Sequence, residues 1–238
     1  MLAVSGAPGS GKSALLAKFV RDFSATHADV PVVSHFVGAS AGSTDIHQML
    51  RRLCHELARA TGIAEEIPDD PRQLPQAFEQ HLAAAAKRGP VVLVIDAVNQ
   101  LDPHPTGGAL YWLPLRLPEG VRVVMSSLPG PALDALLARE PAGLECPPLA
   151  ETDAREIIDG FLRRYGKRLE PNQREELLRK PDAVRPLYLL AAFEELRTLG
   201  RYDEITDRIR ELPGDTVGLF DWILARLEGE YGKPLVEA

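Results

Sequence analysis

The spacing of apolar positions changes several times along the chain, and each change predicts an element. Residues 1–5 form a short apolar run that stops at glycine. Over residues 13–23 the period becomes helical, with Leu15, Leu16, Phe19 and Val20 on one side. Residues 30–37 are rich in β-branched side chains and predict a strand. Ile46, Met49, Leu50, Leu53 and Leu57 return to helical spacing, with Thr44 as the expected cap. An acidic, proline-bearing stretch at 64–72 predicts a loop, and alanine-rich 75–88 a helix.

Val91-Val92-Leu93-Val94-Ile95-Asp96 is an unbroken apolar run closed by a carboxylate. Such runs belong to strands buried on both faces, as in parallel sheets covered by helices. Residues 121–125 repeat the pattern and end at Ser126-Ser127. A short helix at 132–138 and a last strand at 143–146 follow. Strands alternating with helices predict an α/β sheet with right-handed crossovers.

No strand pattern appears after Pro147-Pro148-Leu149. Asp153 and Glu156 read as a capping pair, followed by a stripe of Ile157, Ile158, Phe161, Leu162 and Tyr165. Further helices are expected at 171–179, 187–199, 204–212 and 217–228. We expect a nucleotide-binding α/β domain over 1–150 and a helical domain over 151–238.

A net charge of -7 in 238 residues argues against non-specific binding to nucleic acid or an anionic membrane. Cys54 and Cys146 form neither a CxxC pair nor a disulfide framework, so a reducing, cytoplasmic setting is expected. No apolar run is long enough to cross a bilayer.

The candidate chemistry starts at Gly6-Ala7-Pro8-Gly9-Ser10-Gly11-Lys12-Ser13, which matches G-x-x-x-x-G-K-[ST]. An accidental match in a chain this long is expected on the order of one per cent of the time. Glycines let the backbone turn its N–H groups onto phosphates. The following helix, running on through Ala14, aims its unpaired N–H groups and positive dipole end at the same anion. Lys12 supplies charge for the β- and γ-phosphates, and the Ser13 hydroxyl a ligand for Mg²⁺.

Such a site needs an acid at the end of a neighbouring buried strand to hold the metal, and Asp96 is in that place. Asn99-Gln100-Leu101-Asp102 lacks the lysine of a guanine-reading N-K-x-D, and Asp96-Ala97-Val98-Asn99 lacks the glycine of D-x-x-G. ATP is therefore the expected nucleotide. Active ATPases of this branch place Glu after the metal Asp, where this chain has Ala97. Asn99 or Gln100 can orient water without being a base, and Ser126 or Ser127 can sense the γ-phosphate. For each of these polar residues a turn or cap role is equally open.

Several stretches together resemble the NACHT group of STAND-type P-loop ATPases, signalling switches related to AAA+ enzymes. They are GAPGSGKSALLAKFV, HFVGASAGSTDIHQMLRRLCHEL, VVLVIDAVNQLD, VRVVMSSLPG, CPPLAETDAREII, RPLYLLAAFEELRTLG and DTVGLFDWILARLE. The likeness is nearest to modules of the nephrocystin-3 and telomerase-associated kind. It implies a five-stranded parallel sheet followed by a four-helix lid. Of the two serines that end the strand, Ser127 is the one expected to reach the nucleotide. The resemblance implies that Pro186 packs on adenine; read from the residues alone, Pro186 is a good first-turn helix residue. The acidic pair that the family carries after its metal-strand Asp falls here on Asn99 and Gln100, and the arginine after the sensor strand on Leu128.

The expectation is an ATP/ADP- and Mg²⁺-binding switch module with slow hydrolysis, able to self-associate with nucleotide. It would be excised from a larger protein whose winged-helix and repeat domains are absent from this chain. A non-hydrolysing interaction module, a small-molecule kinase and a remodelling ATPase are the rivals. The kinase would need converging arginines, which Arg185 and the helix arginines do not suggest. His35 is expected to be a packed, hydrogen-bonded structural residue, and Trp112 and Trp222 apolar contacts. His47, His81 and His104 lack a metal-ligand spacing.

Overall fold

In a computed structural model, the alternating runs become alternating strands and helices, and after the last strand the elements among the described residues are all helices. The structure describes residues 1–64, 66–103, 108–198 and 204–232. The chain divides into two compact units: Met1–Pro8 with Lys12–Cys146, and Gly9–Gly11 with Pro147–Ala238.

The first unit holds β1 (Leu2–Ser5), α1 (Lys12–Thr26), β2 (Val32–Phe36), α2 (Ile46–Thr61), α3 (Leu74–Ala86), β3 (Val91–Asp96), β4 (Val121–Ser126), α4 (Pro131–Leu137) and β5 (Ala142–Glu145). The strands form one parallel five-stranded sheet in the order β2-β3-β4-β1-β5. Every residue of β3 is buried, because helices cover both faces of the sheet. Val91, Leu93 and Ile95 face one layer, with Val121, Val123 and Met125 of β4, the buried stripe of α2, and Phe78 and Leu82 of α3. Val92 and Val94 face the other, with Val4, Val124 and Leu16 of α1.

Burying each such side chain contributes about 1.5–3 kcal/mol. A one-residue slip of β3 would exchange the two layers, so the packing fixes the register. By the same alternation Asp96 falls on the α1 face.

α2 buries Ile46, Met49, Leu50, Leu53 and Leu57, and Cys54 with them. Burial pushes the Cys54 thiol up to about 12. The cap differs from expectation. Asp45 caps the helix, its carboxylate accepting from Gln48 N at 2.7 Å. A charged acceptor meets the positive helix end better than a hydroxyl does. Thr44 instead donates its hydroxyl to Asp102 at 3.2 Å. Trp112 is buried beside Phe78, with ring centroids 6.2 Å apart.

The second unit has five α-helices among the described residues, where the resemblance implied four. They are α5 (Glu151–Tyr165), α6 (Pro171–Leu178), α7 (Pro186–Thr198), α8 (Ile205–Glu211) and α9 (Thr216–Tyr231). Ile158, Leu162, Tyr188, Phe193, Ile209 and Leu219 form its core. Trp222 is half-buried against it, with the Arg208 guanidinium 4.9 Å over its ring. Asp153 and Glu156 are not a capping pair. α5 already starts at Glu151, so Asp153 lies in the first turn, where its negative charge interacts favourably with the positive end of the helix dipole. Tyr165 ends the expected stripe but stays exposed, with Arg197 over its ring.

Leu199, His104 and the C-terminal residues 233–238 lie outside the described residues. Among the described residues no helix is long and apolar enough to cross a membrane.

Candidate functional site

The glycine loop joins β1 to α1, and its backbone explains its composition. Gly6, Gly9 and Gly11 have φ of 149°, 75° and 92°, values that side-chain-bearing residues rarely adopt. α1 then starts at Lys12, so the first N–H groups of the helix have no partner within it. The Lys12 ammonium folds back over the loop and donates to Gly6 O at 2.8 Å and Ala7 O at 3.0 Å. Burial lowers its pKa, while Cys146 and Asp96 within electrostatic reach oppose that shift. Pro8, Ser13 and Ala14 are exposed, and Ser10 is half-buried.

Asp96 closes β3 at 3% exposure. The pairing of Ile95 with Met125 puts the next residues, Asp96 and Ser126, side by side on the α1 face. The fully buried Ser126 donates its hydroxyl to Asp96 Oδ1 and accepts from Ala97 N–H at 2.7 Å. Ala97 lies in the left-handed region, φ 59° and ψ 47°, which costs a residue with a side chain about 1–2 kcal/mol. The serine holds that turn in place and fixes one carboxylate oxygen.

The other expected polar residues lie in or beside the tight turn at Val98–Gln100. Both Asn99 and Gln100 are exposed. Asn99 Oδ1 accepts from Leu128 N at 3.0 Å. Gln100 Oε1 lies 2.9 Å from where a Cβ on Gly38 would stand. Ser127 is also fully buried, but its hydroxyl donates to Leu128 O at 2.8 Å. Ser126, rather than Ser127, therefore meets Asp96. Pro186 is the first residue of α7 in the second unit.

The sequence reading missed how Ser126, Ala97 and Asp96 act as one group. Strand parity could have found the serine only with the register of β3 on β4 in hand, which puts it on the same side as the acid. Nothing in the sequence announces a left-handed alanine.

Hard oxygen donors of this kind suit a divalent cation. Ser126 occupies Oδ1 of Asp96, which leaves Oδ2, and the Ser13 hydroxyl adds a second hard oxygen. Among the described residues no group of three His, Cys, Asp or Glu could hold a metal alone. Mg²⁺ is typically held by one or two protein oxygens with waters and substrate phosphates.

The AAA ATPase domain family matches residues 1–126. A TPR repeat-containing protein of Dictyostelium discoideum is 25% identical over 96% of this chain and 16% of its own length. Telomerase protein component 1 of Rattus norvegicus is 30% identical over 96% of this chain and 9% of its own. The human NACHT domain- and WD repeat-containing protein 1 is 28% identical over 82% of this chain and 13% of its own. This chain thus spans a small part of the curated relatives it matches. Among solved structures, a Walker-type ATPase of Pyrococcus abyssi shares the fold with a TM-score of 0.61 and 16% identity, covering 97% of this chain and 71% of that one. By its family match and these relatives, the chain belongs to the AAA ATPase domain family and is a nucleotide-binding P-loop ATPase module of the NACHT type.

Proposed function

We propose that the chain is the ATP/ADP switch module of a larger signalling or scaffold protein, with slow Mg²⁺-dependent hydrolysis. One observation carries the reading: three glycines in positive φ lead straight into α1, with Lys12 folded over the loop carbonyls. Those carbonyls are neutral acceptors. A β- or γ-phosphate is a stronger partner for the ammonium and takes their place. Backbone N–H groups of residues 9–14 then bind the remaining phosphate oxygens.

Mg²⁺, when bound, neutralises charge building on the transferred phosphoryl group. Asp96 Oδ2 and the Ser13 hydroxyl would hold it. Ser126 keeps the carboxylate from turning. Ser127 would lie near the γ-phosphate.

Slow turnover follows from what stands after Asp96. Ala97 offers no base, and Asn99 and Gln100 carry amides, which orient water but do not take its proton. The same residues favour a second reading, a non-hydrolysing module whose nucleotide is structural. Only the nucleotide's differential affinity for two states can make it a switch. Repeat-bearing relatives support a place within a longer chain. Nucleotide-dependent self-association, without nucleic acid or membrane, completes the proposal.

The test is to denature freshly purified protein and chromatograph what it releases. Near-stoichiometric ADP, absent from Lys12→Ala, supports the switch with a resting state. Retained ATP with no turnover supports the structural reading. Protein that is empty and binds no added Mg-ATP overturns both.

A further inference from the structure

We propose that His35 is a positioning residue of the nucleotide site: held by Arg52 as the neutral Nε2–H tautomer, it fixes the loop at 37–45 against the turn that follows Asp96. The inference rests on the nucleotide-binding reading above and concerns residues outside the phosphate loop.

The hydrogen-bond partners settle the tautomer. His35 sits near the end of β2 at 5% exposure. Its Nε2 is 2.8 Å from Ser43 O, and a carbonyl only accepts, so Nε2 carries a proton. Its Nδ1 is 2.7 Å from an Arg52 guanidinium nitrogen, which only donates, so Nδ1 carries the lone pair. The same nitrogen of Arg52 donates to Ser34 O at 2.7 Å, and its other arm pairs with Glu56. The charged groups facing the ring are thus Arg52 and Glu56 of α2, with the Ser43 carbonyl opposite. Burial lowers the imidazole pKa, helped by Arg52 and opposed by the Ser43 carbonyl and Glu56.

Ser43 is the hub of the loop. Its hydroxyl accepts from Gly38 N at 2.9 Å and donates to Ser40 O at 2.6 Å. The loop formed in this way meets the proposed site at three points. Val37 N donates to Asp96 O at 3.3 Å. Gly38 leaves the space that Gln100 Oε1 fills. Thr44 accepts from Asp102 N at 2.9 Å and donates its hydroxyl to the Asp102 carboxylate. A second proton on His35 would place two donors face to face at Nδ1. The ring or Arg52 must then move, and the loop loses its anchor at Ser43.

The test uses the full chain with ¹⁵N-labelled histidine. Imidazole nitrogen shifts should show His35 still as the Nε2–H tautomer at a pH just below the ordinary histidine value of about 6.5. Ordinary titration with both nitrogens protonated there overturns the proposal. Titration calorimetry with Mg-ATP supplies the second readout. His35→Ala should weaken binding about tenfold, as loss of a hydrogen bond to a charged group implies. His35→Gln keeps a donor for Ser43 O and an acceptor for Arg52. It should stay near wild-type affinity and lose the acid limb of the wild-type pH profile.

Wild-type binding by both variants, with Lys12→Ala defective, overturns the positioning role alone. A wild-type chain that binds no Mg-ATP overturns the nucleotide reading and this role with it. Should His35→Ala fail to fold by circular dichroism, His35→Gln decides: an unchanged acid limb counts against the proposal.

Discussion

The phosphate loop and the Asp96–Ser126 corner are built by opposite means. The loop is contiguous, and its working parts are backbone N–H groups and one lysine. Its tolerance is for side chains and its weakness is any Cβ at a positive-φ glycine. The corner takes two buried side chains from different strands, 30 residues apart, and closes them over a left-handed alanine. Its weakness is the loss of any one polar partner, because a buried polar group left unpaired costs about 1–3 kcal/mol. A site drawing on both should fail in two distinguishable ways.

Five substitutions, one of them a control, sharpen that contrast, and Lys12→Ala should have the largest effect. Losing its charged hydrogen bonds should raise the dissociation constant for Mg-ATP about a hundredfold by calorimetry. A change under about threefold would mean the loop backbone alone holds the anion. Next comes Asp96→Asn. It should weaken Mg-ATP about tenfold while leaving metal-free ADP affinity unchanged, as expected of a lost metal ligand. An equal loss in both conditions would make Asp96 a structural residue.

Ser126→Ala should lower stability to urea by about 1–3 kcal/mol, since Asp96 and Ala97 N–H both lose a partner. Ser127→Ala, which loses only the bond to Leu128 O, serves as the control and should cost less. The smallest effect belongs to Asp45→Ala, about 1 kcal/mol for a lost cap with nucleotide affinity retained. A fall in affinity there would tie the start of α2 to the site.

The contrast also explains what the sequence disclosed. A contiguous loop is legible because its spacing is its geometry, and β3 is legible because burial on both faces leaves no polar position before Asp96. Thr44 and Asp45 are both good caps. Only the residue at which the backbone turns helical decides between them. Asp153 and Glu156 have capping-box spacing, yet α5 starts two residues earlier, at Glu151. Choosing Ser126 over Ser127 required the pairing of β3 with β4, a long-range fact that no local window contains. His35 was expected to be structural. Its bonds to Arg52 and Ser43 span 17 and 8 residues, beyond the reach of spacing arguments.

The contrast in burial between the two cysteines has a practical consequence. Cys54 is fully buried with its thiol pushed up to about 12, whereas Cys146 is half-buried at the end of β5. Only the thiolate reacts with alkylating reagents. A maleimide dye should therefore enter at Cys146 first, giving a single-site fluorescent chain without mutagenesis. Cys54 remains as an internal clock. Its slow alkylation times the opening of the α2 layer, so adding nucleotide should lengthen that clock if ligand binding tightens the first unit.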